Sequence, residues 1–192
     1  MVDHKSEFPG IGTNKLDVSN NTSLIYLPSC NALGVNKNDI SVLSFYNCRN
    51  LVWINDKELH TQKVKFNSNT FRGCISLKYI PKLDISTYTY SDNQLFSNLY
   101  SLEVIDPSNN TEYWYNTTST NDFTGFSSLF NGCKSLKTLP VIDCGKIPVN
   151  NAYLHSTFAG CYSLTDVSII NTTNIKSCNS LFSYCYSLTT VP

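Results

Sequence analysis

The apolar positions of this chain fall into columns when seven segments are set in register. The first column is Val18, Phe45, Phe71, Phe96, Phe130, Phe158 and Phe182. Three residues on stand Asn21, Cys48, Cys74, Leu99, Cys133, Cys161 and Cys185. Three further on come Leu24, Leu51, Leu77, Leu102, Leu136, Leu164 and Leu188, and three after those Leu27, Ile54, Ile80, Ile105, Leu139, Val167 and Val191. Successive segments start 27, 26, 25, 34, 28 and 24 residues apart. Such self-similarity is the mark of a repeat architecture, and the period matches repeats of about 20–29 residues apart from one long interval.

The pattern predicts local structure. Phe and Cys three apart share one face of a short helical turn. The Gly or Asn between them, as in Asn131-Gly132-Cys133, suits the tight or left-handed backbone that ends such a turn. After the Leu the chain turns β-rich and too short for a helix, as in residues 137–142. Proline one past the fourth column (Pro28, Pro81, Pro140, Pro192) keeps that strand short, bulged or at an edge. Seven residues past the Leu sit Asn31, Glu58, Asp84, Asn109, Asp143 and Asn171, where an Asx side chain would cap a corner. The fold expected is an α/β solenoid, a leucine-rich-repeat-like stack of about seven coils with short parallel strands and short helical turns. It would span residues 18–192, with 1–17 as an N-terminal arm or cap and an aromatic and polar insertion at 106–125.

The phrase Phe-x-x-Cys-x-Ser-Leu-x-x-Ile/Leu-Pro, strongest over 129–192, resembles the BspA-like leucine-rich repeats of bacterial surface proteins and gut bacteriophage virion proteins. The resemblance implies a module that binds or displays and carries no enzymatic activity. Val18 and Asn21 in the first segment and Leu99 in the fourth depart from its Phe and Cys positions.

Composition narrows the partners. Fourteen basic and fourteen acidic residues balance to zero net charge, and charged residues make up only 15% of the chain. That argues against nucleic acid or an anionic membrane surface, which require clustered positive charge. No apolar run is long enough to span a membrane, so no membrane insertion is expected. The first ten residues lack the apolar core of a secretory signal, so the eight cysteines are expected as reduced thiols rather than a secreted disulfide framework. Together with the resemblance, this favours a virion protein made in a host cytoplasm, contacting other virion or surface proteins or a host glycan, over a bacterial cell-surface adhesin. An uncapped repeat end exposes apolar surface and strand edge, so the expectation is either an oligomer or larger assembly covering the C-terminal end, or a natural polypeptide that continues beyond Pro192.

Candidate chemistry is sparse. The cysteine column could suggest metal or redox work, but metal-binding cysteines usually sit two to four apart and these lie at least 24 apart. Leu99 in the same slot points to a small apolar residue, so Cys48, Cys74, Cys133, Cys161 and Cys185 are read as core together with the Phe column. Cys178 is also placed in the core, while Cys30 and Cys144 have no assigned place. The corner column has too few carboxylates for Ca²⁺. His4, His60 and His155 are scattered, and no nucleophile, phosphate-loop or dinucleotide motif is present. No catalytic residue, metal or cofactor is expected; a glycan-processing enzyme, which needs two carboxylates about 5–9 Å apart, is the weaker alternative.

The candidate binding residues are aromatic. Tyr113, Trp114, Tyr115 and Asn116 lie in the insertion, and insertions in repeat arrays often form the binding face. Rings among amides suit contact with protein or sugar; the bland alternative is that Trp114 folds back to shield apolar surface. Tyr162 and Tyr186 share the position after Cys and could line one outer edge, serving subunit packing as readily as ligand binding.

Overall fold

A computed structural model describes residues 9–61, 63–83, 94–106, 126–139, 142–143, 152–168 and 170–191. It corrects the expected α/β solenoid with helical turns. Among the described residues there is no helix, and the strands are two or three residues long, in six small sheets.

The hairpin of β1 (Ile11–Gly12) and β2 (Lys15–Asp17) is antiparallel, and β2 continues in parallel to β4 (Val42–Ser44). Between them lies β3 (Tyr26–Leu27), which pairs in parallel with β5 (Trp53–Ile54). Then β6 (Glu58–Leu59) pairs with β8 (Lys82–Leu83), and β7 (Tyr79–Ile80) with β9 (Val104–Ile105). In the last third β10 (Ile142–Asp143) pairs with β12 (Ile170–Asn171), and β11 (Ala152–Tyr153) with β13 (Ile175–Ser177). Two of these strands, β3 and β7, stop immediately before Pro28 and Pro81, which have no amide hydrogen to extend a ladder.

Dihedral angles explain the missing helices. The residue two past the first column has a left-handed backbone in every segment: Asn20, Asn47, Gly73, Asn98, Gly132, Gly160 and Tyr184. In the last three segments Ser128, Ser156 and Ser180, two before the Phe, are left-handed as well. A residue with φ near +60° breaks the run of right-handed dihedrals that an i→i−4 ladder requires. What forms instead is a chain of i→i−3 turns, such as the Cys133 N–H to the Phe130 carbonyl at 3.1 Å and the Leu136 N–H to the Cys133 carbonyl at 3.2 Å. Residues three apart do become neighbours, by single turns.

The alternate N–H groups reach the following segment. Those of Phe126, Ser128, Phe130 and Gly132 donate to the carbonyls of Tyr153, His155, Thr157 and Ala159, at 2.7–3.0 Å. Those of Leu154, Ser156, Phe158 and Gly160 donate to Ser177, Asn179, Leu181 and Ser183, at 2.7–3.1 Å. Backbone that is neither helix nor strand thus satisfies its polar groups through local turns and interlayer bonds.

The columns form the core. Phe45, Phe71, Phe96, Phe130 and Phe158 are fully buried, and successive rings from Phe45 to Phe182 lie 5.3–5.8 Å apart between centroids. The long interval does not interrupt the row, since Phe96 and Phe130 stack at 5.6 Å across 34 residues. Cys48, Cys74, Cys133 and Cys161 are fully buried, as are the Leu column from Leu51 to Leu164 and Leu27, Ile54 and Ile80 of the fourth column. The last layer is different: Phe182, Cys185 and Leu188 are half-buried and Val191 is exposed. Cys178, expected in the core, is exposed there, because no described layer packs over it.

Candidate binding surface

Each core thiol has a specific acceptor. Cys48 Sγ donates to the Val18 carbonyl at 3.0 Å, Cys74 to Phe45 at 2.9 Å and Cys133 to Phe96 at 3.0 Å. Cys161 donates to Phe130 at 3.3 Å and Cys185 to Phe158 at 3.1 Å. All five thiols of the Cys column therefore reach the first-column carbonyl of the preceding layer, as a weak donor on a small apolar side chain can. Burial pushes Cys48 up to about 11 and Cys74 and Cys133 up to about 12, so these thiols stay protonated and unreactive. Cys30 lies in the core as well; burial first, then the neighbouring Asp56 carboxylate, raise it to about 12. All seven described cysteines are free, and no group of three or more His, Cys, Asp or Glu among the described residues could hold a metal ion.

The described carboxylates serve structural partners. Asp56 accepts the Cys30 N–H at 2.7 Å and Asp166 the Ser168 N–H at 2.8 Å. Asp39 pairs with Lys63 at 2.5 Å and Glu58 with Lys82 at 2.8 Å. Glu103 lies between Lys137 at 3.2 Å and Lys78 at 3.4 Å, which hold its carboxyl below the usual range. Of the expected corner caps, Asn171, the last residue of β12, accepts the Thr173 N–H at 3.0 Å, and Glu58, the first of β6, pairs with Lys82, while Asp84 and Asn109 lie outside the described residues.

The surface is organised by the same register. In the position after the second column, Ile75, Tyr100, Lys134, Tyr162 and Tyr186 follow one another on successive layers. Their order is pinned by backbone bonds from the serine of the next layer: Ser101 to Ile75, Ser135 to Tyr100, Ser163 to Lys134 and Ser187 to Tyr162, at 3.1–3.2 Å. The Lys134 ammonium lies 4.5 Å from the Tyr100 ring centroid and 5.7 Å from that of Tyr162, a cation–π arrangement on both sides. No carboxylate pairs with Lys134 among the described residues. Tyr162 and Tyr186, read from the sequence as one outer edge, are brought together at 5.2 Å, with Tyr184 edge-on to Tyr186 at 6.2 Å. Tyr162 is 40% exposed and Tyr186 73% exposed, so both rings are presented to solvent.

A second row was not read from the sequence. Tyr26, Trp53 and Tyr79 stand two past the Leu column, on β3, β5 and β7. The Trp53 and Tyr79 rings stack at 4.6 Å and 14°, and the Tyr79 hydroxyl donates to the Asp106 carboxylate. Burial and then that carboxylate raise the Tyr79 phenol. These aromatics are 27 and 26 residues apart, so only the column alignment, carried two residues further, would reveal them. Tyr113, Trp114, Tyr115 and Asn116 lie outside the described residues.

Trp53 stacks on Tyr79 and the Lys134 ammonium lies against Tyr100 and Tyr162, while Tyr26 and Tyr186 remain widely exposed. Such rows can make many contacts along a flat partner. No family model matches this chain, and no curated protein or solved structure matches it significantly.

Proposed function

We propose that this protein is a non-catalytic recognition or assembly module, contacting another protein through the row of Tyr100, Lys134, Tyr162 and Tyr186. The observation that carries the reading is the row itself: exposed tyrosines flanking an ammonium that no carboxylate pairs among the described residues, held in order by interlayer backbone bonds. Tyrosine brings large contact area at low entropic loss, and rings on a fixed backbone are already arranged for binding. The repeat phrase adds a setting, a bacteriophage particle decorated by this chain, with a bacterial surface as the alternative. The test is to compare the wild-type protein with a Tyr162→Ala/Tyr186→Ala variant in immunogold labelling of purified phage particles and of intact bacteria from the source. Labelling lost in the double variant, with folding intact, supports the reading; equal labelling by both proteins refutes the role of the row.

A further inference from the structure

We infer that the turn face of the stack, where Arg49, Arg72 and Lys134 stand among exposed tyrosines, binds an acidic segment of a partner protein. The inference rests on the reading of the tyrosine row as a contact surface and names what that surface recognises.

Charge is sorted along the register. Within two residues of the second column, the seven segments together hold three cations, Arg49, Arg72 and Lys134, and no Asp or Glu. The chain as a whole carries fourteen charges of each sign, so its carboxylates are gathered elsewhere. Backbone bonds set the three cations on one face. The Asn47 N–H donates to the Arg72 carbonyl and so ties the layer of Arg49 to that of Arg72. The Ser101 N–H to the Ile75 carbonyl and the Ser135 N–H to that of Tyr100 carry the register on to Lys134. The three cations are exposed, as are Tyr46, Tyr100 and Tyr162, and all six stand in inner layers.

None of the three cations meets a carboxylate among the described residues. Arg49 Nε donates to the Asn47 amide oxygen at 2.9 Å, Arg72 Nη1 reaches the Asn69 amide oxygen at 3.5 Å, and Lys134 lies over the Tyr100 ring. The lysines of the neighbouring column, Lys78 and Lys137, do have one, and they share it: Glu103. Amide oxygens and rings leave the positive charge of the face uncompensated. Carboxylates of a partner compensate it through charge-assisted hydrogen bonds, with tyrosine hydroxyls as further donors.

The spacing suits a short stretch of polypeptide. Arg49 and Lys134 are three layers apart, and each layer is 5.3–5.6 Å thick by the phenylalanine ring spacing. An extended chain, at about 3.3 Å per residue, covers that distance in about five residues. A nucleic acid fits less well. The Lys134 ammonium occupies ring faces of Tyr100 and Tyr162 on which bases would stack, and three cations are few for a phosphate backbone.

The probe is a peptide of alternating Glu and Ala, titrated to millimolar concentration at low salt into isotope-labelled full-length protein and followed by NMR. Amide shifts should cluster around Arg49, Arg72, Tyr100, Lys134 and Tyr162. The Kd should rise about tenfold or more in Arg49→Gln/Arg72→Gln/Lys134→Gln and return close to wild type when the same three positions exchange Arg for Lys and Lys for Arg. A peptide of alternating Gln and Ala should give no shifts, and oligothymidylate of equal length should bind more weakly than the acidic peptide. No shifts with the acidic peptide, shifts centred elsewhere, an unchanged Kd in the triple variant, or tighter binding of oligothymidylate would each overturn the proposal. Immunogold labelling lost in Tyr162→Ala/Tyr186→Ala but kept in the triple Gln variant would refute the acidic partner and leave the tyrosine row standing.

Discussion

Cys74 Sγ donates to the carbonyl oxygen of Phe45, 2.9 Å away in the preceding layer, and the Cys74 N–H donates to the carbonyl of Phe71 in its own. One residue thus closes a local turn with its backbone and ties two layers with its side chain. Replacing it with Ala removes the donor and leaves a small void. Cys74→Ala should lower unfolding stability by about 1–2 kcal/mol in urea titrations, and Cys178→Ala, at an exposed position, should leave it unchanged.

The buried thiols also set a pH dependence. Their folded values, about 11 for Cys48 and about 12 for Cys74 and Cys133, lie above the ordinary 9.0, so the fold favours the protonated form. That contribution is fully present below pH 9 and is lost as pH rises from there through about 12. Alkaline destabilisation over this window should be shallower in Cys74→Ala and Cys133→Ala than in the wild type. In native protein at pH 8, iodoacetamide should modify Cys178 and spare Cys74 and Cys133 until the chain is unfolded, as read by mass spectrometry.

Position in the phenylalanine row should decide how much a ring contributes. Phe130 is fully buried between Phe96 and Phe158, and Phe130→Ala should cost about 3–5 kcal/mol. Phe182, with one ring neighbour and partial exposure, should cost less than about half of that. Equal losses in equilibrium unfolding would contradict the observed layering.

The left-handed positions give a pair of opposite effects. Gly73 has φ +86°, and a Cβ there would lie 3.1 Å from the Asn47 backbone Cα. Gly73→Ala should therefore destabilise by about 2 kcal/mol, from dihedral strain of 1–2 kcal/mol plus crowding. Tyr184→Gly should raise stability by up to about 1 kcal/mol by relieving the same strain at an exposed site. Thermal unfolding of the two variants reads both signs.

These particulars show what the sequence could reveal. The Phe, Cys and Leu columns were legible because burial repeats at every layer and leaves the same residue types behind. The helical turns were misread because a three-residue spacing fits an α-helix and a single i→i−3 turn equally well. Gly132 and Asn98 signalled the left-handed backbone, whereas Ser128, Ser156, Ser180 and Tyr184 have no such signature. The cysteine slot was legible as small and apolar, but its hydrogen bond to a carbonyl some 27–37 residues earlier was not. Of the candidate site, Tyr162 and Tyr186 followed from their shared register. Lys134 between Tyr100 and Tyr162 needed the layers to be seen side by side, since its sequence neighbours give no hint of a ring.

The proposed function requires that the tyrosine row touch a partner. A photoreactive benzoyl-phenylalanine placed at Tyr162 or Tyr186 and irradiated in the native particle or cell should join the protein to one discrete polypeptide, while the same probe at exposed Lys65 should not. Cross-links formed equally from Lys65, or none from either tyrosine position, would contradict it.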